Sequence, residues 1–296
     1  SGWVSQGPRV QAFERAFADR VGTRFAVACS SGTGGLHVAL DRLGLGPGDE
    51  VITSSFSFIA SANVILHERA TPVFADIDER TFNVDPAAVE AAITPRTRAI
   101  VPIHIFGYPC DIEAVSRVAG EHGVPVVEDA CEALGCSVDG RAVGSHGNPA
   151  VYGFYPNKQL TTGEGGMVTT DDEDVAADMR SLVNQGRSDN GDWLVHQRVG
   201  FNYRMDEMSA AVGIAQLEKL DTLLAARRRV AGRYGEALER ARARRRALLL
   251  EPPPSVRHQR RRRQHLERDL AEQPGVERAV DDAHAAGADP ARDHVV

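Results

Sequence analysis

Lysine is nearly missing from this chain of 296 residues: it occurs twice among 34 basic residues, at positions 158 and 219, and every other Lys/Arg position is arginine. Apolar stretches long enough to cross a bilayer are missing too, and no basic-then-apolar leader precedes Trp3, which predicts a cytoplasmic protein with no membrane partner. Cysteine is sparse, at 29, 110, 131 and 136. Those four show neither the paired spacing of a metal site nor the density of a secreted scaffold, so no metal is expected and Cys131 and Cys136 read as reduced packing residues. A basic footprint is lacking as well. The formal charge of −7 argues against a nucleic-acid partner, although arginine gathers after Arg227.

Scarcity gives Lys158 its interest. An amine forms a Schiff base with an aldehyde, which a guanidinium cannot do, so no arginine replaces it in that chemistry. It stands between the apolar run Val151-Tyr-Gly-Phe-Tyr155 and Gly166-Met-Val-Thr-Thr170, which predicts a strand-to-strand connection, the kind of loop on which rigid scaffolds present reactive groups. A solvated surface lysine fits the same residues.

Upstream, Val10, Phe13, Phe17 and Val21 recur at helical spacing from Pro8 to Gly22, predicting an amphipathic helix. Phe25 to Cys29 reads as a buried strand, followed by Ser30-Ser-Gly-Thr-Gly-Gly35 and a helix through Leu36, Val38, Ala39, Leu40 and Leu43. Such a turn is a ready anion site, with unpaired amides and a positive dipole end and the Thr33 hydroxyl beside them. It serves equally as a plain cap made by Ser31 or Thr33.

Strands at Val51 to Thr53, Pro72 to Asp76, Ile100 to Ile105 and Val124 to Val127 then alternate with helices near Ala60 to His67, Pro86 to Ile93 and Ile112 to Ala119. Their continuous Val/Ile character predicts an α/β fold, a mainly parallel central sheet with helices on both faces. Ligands of such sheets gather beyond the strand carboxyl ends, which singles out Ser30 to Gly35, Ser54 to Phe58 and Glu128-Asp129-Ala130. Glu128 and Asp129 end an apolar strand, so a cation is expected near them, unless they cap a turn or face solvent. Phe56 and Phe58 share a face if their segment is extended, where core packing is the commoner explanation and stacking on a ligand the other. Asp171 to Val183 reads as a helix, Asn184 to Gln197 as a polar loop, and Gly200 to Met205 as the approach to a long helix, where Asn202 between two aromatics fits a cap.

Together these pieces resemble the DegT/DnrJ/StrS family, sugar aminotransferases of the PLP fold type I. The resemblance lies in Ser1-Gly-Trp-Val-Ser-Gln-Gly7, Ser31-Gly-Thr33, Ser55-Phe-Ser-Phe-Ile-Ala-Ser-Ala-Asn63, Val127-Glu-Asp-Ala-Cys-Glu-Ala-Leu-Gly135, Tyr155 to Gly166 and Gly200 to Met205, in the family's order. It implies pyridoxal 5′-phosphate as cofactor and ping-pong amino transfer from an amino acid, usually glutamate, to a nucleotide-linked keto sugar. Lys158 matches the lysine that holds the cofactor and shuttles the proton between Cα and C4′. Asp129 matches the carboxylate on the pyridine nitrogen, which supports the electron sink. Gly32 and Thr33 match the phosphate site, Phe58 the aromatic on the ring face, and Glu132 a position, often glutamine, that reaches the ring hydroxyl. Asn202 matches an asparagine that crosses to the partner's phosphate, so the resemblance implies a homodimer. Related sugar 3-dehydratases carry histidine in place of the lysine, so Lys158 points to amino transfer. One departure is Gly153, where many members place a phosphate-binding serine; Asn157 or Tyr155 is expected to compensate.

The large PLP-binding domain is expected over residues 1–235. Residues 236–296 are an aberrant arginine-, proline- and alanine-rich segment in place of the family's small C-terminal domain. A shifted reading frame in a GC-rich gene would produce this composition, and a basic tail for nucleic acid or an acidic surface is the alternative. So few large apolar residues predict disorder there, and the abrupt start at Ser1 suggests a missing N-terminal piece.

Overall fold

In a computed structural model, the structure describes residues 2–188 and 194–250, with side chains described to residue 242. In order the elements are α1 (Pro8–Val21), β1 (Phe25–Cys29), α2 (Gly32–Asp41), β2 (Glu50–Ser54), α3 (Ala60–His67), β3 (Thr71–Ala75), α4 (Pro86–Ala92) and β4 (Thr97–Val101). After a 3-10 turn at Ile105–Gly107 come α5 (Ile112–His122), β5 (Glu128–Asp129), a small hairpin of β6 (Ser137–Val138) and β7 (Arg141–Ala142), and β8 (Ala150–Gly153). The rest is β9 (Gly166–Thr170), α6 (Glu173–Val183), α7 (Glu207–Glu218) and α8 (Leu220–Leu250).

Strands β3, β2 and β4 form one parallel ladder, and β1, β9, β8 and β5 a second in that order. Parallel bridges from Ile100 to Val126 and from Ile103 to Asp129 join the two through β4 and β5. Pro125 and Pro102 lie in this seam and offer carbonyls, to Ile100 and Asp129, but no N–H, so the ladder there is interrupted. This moves the fifth strand from the expected Val124 to Val127 to Glu128–Asp129. The sheet is mostly parallel, as expected, with one exception: β9 runs antiparallel to both β1 and β8. The loop carrying Lys158 joins two strands that pair directly with each other, so β8, the loop and β9 form a long antiparallel hairpin.

Burial on both faces is visible strand by strand. Ala26 and Ala28 of β1 pack with α1, while Val27 and Cys29 pack with α2 and α6. Tyr152 and Met167 face the first layer and Val151 and Val168 the second; farther along, Ile52 and Ile100 meet α4 and α5. Alternate residues thus enter different cores, which is why no alternation of polar and apolar residues marks these strands.

Helix α1 opens with Pro8 and closes at Gly22, whose N–H donates to the Ala18 carbonyl at 2.8 Å from φ 86°. Its start has a partner that the local sequence does not contain. The carboxylate of Glu207, buried at the first turn of α7, accepts from the amides of Gly7 (2.7 Å), Arg9 (3.0 Å) and Val10 (2.9 Å). Burial alone would push this carboxyl up; the three amides outweigh it and hold Glu207 below its ordinary range. A depressed carboxyl stabilises the fold above its unfolded pKa of about 4.3, and that contribution is lost as pH falls through the folded value. Glu207→Ala is expected to cost about 3 kcal/mol at neutral pH. In thermal melts that is a drop of roughly 6–12 °C. The difference from the parent should shrink in a pH series run below about 4.

The chain divides into two compact units, residues 1–228 and 229–296. Among the described residues, every strand lies in the first. Of the second, residues 229–250 are helical as the continuation of α8, and the rest of the segment with the unusual composition lies outside the described residues.

Candidate active site

The start of α2 presents backbone donors. Ser31, not Thr33, is the cap: its Oγ accepts from the Gly34 amide at 2.9 Å. The amides of Gly32 and Thr33 have no acceptor among the described residues, and Thr33 is exposed. Only glycine fits the closest approaches here. A Cβ on Gly32 would stand 2.7 Å from Cys131 Sγ, and one on Gly166 would stand 2.5 Å from the Ser31 carbonyl carbon.

Glu128 and Asp129, adjacent in sequence, face different surroundings because successive strand residues point to opposite sides. Glu128 is fully buried and is bonded to His104 Nε2 at 3.0 Å, with Asn148 Nδ2 at 3.1 Å on the other oxygen. The ring's Nδ1 accepts from the Cys110 amide at 3.1 Å, which leaves Nε2 as the proton donor to Glu128. Asp129 is 7% exposed; it accepts from Ser61 Oγ (2.7 Å) and the Cys131 amide (3.1 Å). Among the described residues no cation lies within ion-pair distance of it, so its charge is oriented and uncompensated. Ser61, on the first turn of α3, was a residue that sequence reasoning missed, although it lies inside the segment Ser55 to Asn63.

Lys158 is on the β8–β9 connection, as expected, with its side chain 18% exposed and Nζ 2.9 Å from Glu132 Oε1. The other Glu132 oxygen accepts from the Phe106 amide at 3.1 Å. Arg227 of α8 steadies the loop from outside, donating to the carbonyls of Asn157 (3.2 Å) and Lys158 (2.7 Å). Cys131 ties the pieces together: burial pushes its thiol far up, the Asp129 carboxylate adds to this and the Lys158 ammonium opposes it. Gly32 thus packs against the Cys131 sulfur, Asp129 accepts from the amide of the same cysteine, and Lys158 pairs with Glu132 one residue on.

Two expected residues stand apart. Phe58 is 79% exposed and Phe56 40%, in bends beyond β2, so the extended, core-packed reading of this pair fails. Ser57 Oγ lies 3.4 Å from Ser61 Oγ, which puts the Phe58 loop beside the Asp129 partner. Asn202 is exposed too, and it is not the cap of α7, since Asp206 fills that role by accepting from Ser209 N at 2.9 Å. Its neighbours Phe201 and Tyr203 are stacked 5.1 Å apart against His37, and the Tyr203 carbonyl accepts from Ser30 N at 2.7 Å. The alternation of an extended segment turns Asn202 the other way. At Gly153 a Cβ would sit 3.5 Å from Cys131, an ordinary contact, so close packing does not demand glycine there. The Tyr155 and Asn157 side chains make no hydrogen bond among the described residues.

A mostly parallel sheet wrapped in helices, with a lysine loop, a helix start and an uncompensated carboxylate at its strand ends, is the architecture of PLP-dependent enzymes of fold type I. The chain belongs to the DegT/DnrJ/EryC1/StrS aminotransferase family, whose model matches residues 1–288. It is 51% identical over 239 residues to GDP-perosamine synthase of Caulobacter vibrioides, covering 80% of this chain and 64% of that protein. The chain spans about 64% of the length of the curated relatives it matches. Among solved structures it is similar to S. venezuelae DesV in complex with a ketimine intermediate (42% identity, TM-score 0.72, 75% of this chain and 59% of that one). It is also similar to NtdA of Bacillus subtilis with bound cofactor PMP (33%, TM-score 0.70, 74% and 50%).

Proposed function

We propose that the chain is a PLP-dependent aminotransferase that moves an amino group from an amino acid, glutamate in our reading, to a nucleotide-linked keto sugar. One observation carries this: within residues 129–132 a buried carboxylate held by Ser61 and the Cys131 amide stands three residues from the glutamate that pairs with the Lys158 amine, beside a helix start whose first two amides have no acceptor among the described residues. A relative that makes a GDP-linked sugar and a neighbour that holds PMP support the same reading.

The residues fit the cofactor part by part. Gly32 and Thr33 would hold the phosphate, Asp129 the pyridine nitrogen, Glu132 the ring hydroxyl, Phe58 the ring face, and Lys158 the aldehyde end. When bound, PLP supplies an aldehyde that condenses with primary amines and a protonated ring that accepts electrons from the adjoining carbon. Asp129 would favour a proton on the pyridine nitrogen, because a neutral partner would leave its charge buried and unpaired. Lys158 Nζ takes and returns the proton at the substrate carbon; Glu132 aims it, and burial of its stem keeps bulk water from competing.

Asn202, outward-facing between two inward aromatics, supports a homodimer in which it reaches the partner's phosphate site. The reaction belongs in the cytoplasm, and residues 1–235 form the PLP-binding domain, with 236–296 as a segment apart. The test is a visible spectrum of the purified chain with PLP. A yellow protein whose band is lost on adding glutamate is the expected result; a band indifferent to every amino acid would leave a PLP-binding protein without turnover.

A further inference from the structure

Three phenylalanines that this chemistry leaves unused stand together near the site. The strand order β3-β2-β4 puts the segments that follow these strands side by side, and they carry Phe82, Phe56 and Phe106 respectively. The Phe56 ring lies 5.4 Å from Phe82, tilted by 32°, and 6.0 Å from Phe106 at 90°. None is buried: Phe56 is 40%, Phe82 47% and Phe106 79% exposed. A lone exposed ring is ordinary, whereas a cluster contributed by three loops is a surface with something to meet.

Two of the three are held against their backbone preference. Phe82 (φ 60°) and Phe106 (φ 53°) occupy the left-handed region, at a cost of about 1–3 kcal/mol each for a bulky L-residue. The restraint is Asn83, 2% exposed, which accepts from Ile105 N (3.0 Å) and donates to the carbonyls of Tyr108 (3.0 Å) and Pro109 (3.2 Å). A buried amide thus locks two strained, solvent-facing rings beside a third.

Position supplies the occupant. The Phe106 amide is bonded to Glu132, and Glu132 to Lys158, so two hydrogen bonds separate this backbone from the reacting amine. Around Phe82 the segment bears Asp76, Asp78, Glu79 and Asp85 with Arg80 as its one cation, an unsuitable berth for a diphosphate. We infer that Phe56, Phe82 and Phe106 form an aromatic wall that receives the sugar ring of the nucleotide-linked substrate, C–H face against ring face, with the diphosphate directed away from the acidic segment. This rests on the proposed function, from which it takes the substrate class.

The experiment compares the affinity of the PLP-loaded protein for GDP and GDP-mannose, and likewise for UDP and UDP-glucose, by titration calorimetry. The wild type is expected to bind a nucleotide sugar more tightly than its nucleoside diphosphate. Phe106→Ala should erase about tenfold of that margin while leaving the nucleoside diphosphate affinity unchanged, and Phe106→Leu should erase less. A margin that survives both Phe106→Ala and Phe56→Ala overturns the wall alone. Failure of the wild type to bind any of the four probes overturns the nucleotide-sugar reading and the wall with it. Conversion of a dimer to a monomer by Phe106→Ala in sedimentation would identify the patch as an interface between copies and overturn the inference.

Discussion

Lys158→Arg is expected to leave the protein folded and to lower amino transfer by about four orders of magnitude, the upper range for removal of a positioned proton-transfer group. Arginine keeps a positive charge opposite Glu132 Oε1, where the native amine sits at 2.9 Å, so the ion pair and the Phe106 link behind it have no reason to collapse. A guanidinium neither condenses with an aldehyde nor gives up its proton at neutral pH. Binding of PLP should therefore persist while its covalent attachment is lost. The measurement is borohydride reduction followed by peptide mapping: in the parent the label falls on Lys158, and in the variant on nothing. Label on Lys219, or transfer within tenfold of the parent, would remove Lys158 from the role proposed for it.

Asp129→Asn follows with a loss of about 10²–10³-fold in the proton-abstraction step, the scale of deleting one preorganised electrostatic group. The amide is isosteric, and its oxygen can still accept from the Cys131 amide or from Ser61 Oγ, so the strand end keeps its shape. What disappears is the negative charge. Exchange of the glutamate Cα proton with deuterated solvent reports that step directly. A second readout is independent of turnover. Burial and then the Asp129 carboxylate raise the Cys131 thiol, so the neutral variant should be alkylated faster at Cys131 by iodoacetamide. Unchanged exchange together with unchanged alkylation would mean that Asp129 does not exert the field assigned to it.

The alternation of strands and helices was legible because strands buried on both faces must be apolar throughout, as Val51, Ile52, Val151 and Val168 are. Lys158 was legible through its rarity, and the helix start after Ser31 through its turn chemistry. Other features depend on which distant segments meet. Nothing near Gly7 announces that Glu207 will cap α1, and nothing in the pair Glu128-Asp129 says which carboxylate takes His104 and which stays uncompensated. Ser61 sits on its helix like any hydroxyl until Asp129 arrives beside it. The convergence of the aromatics at 56, 82 and 106 follows from strand order alone.

By itself, the sequence determined the chemistry available to this protein: one well-placed amine, a glycine turn opening a helix, and two carboxylates at the end of an apolar strand. Hydrophobic periodicity and turn residues are local properties, and they specify elements. Only the tertiary structure decided which carboxylate meets His104, which hydroxyl orients the other, and which rings stand together. Those outcomes depend on pleat direction and strand order, set when segments far apart in the chain bury their apolar faces together.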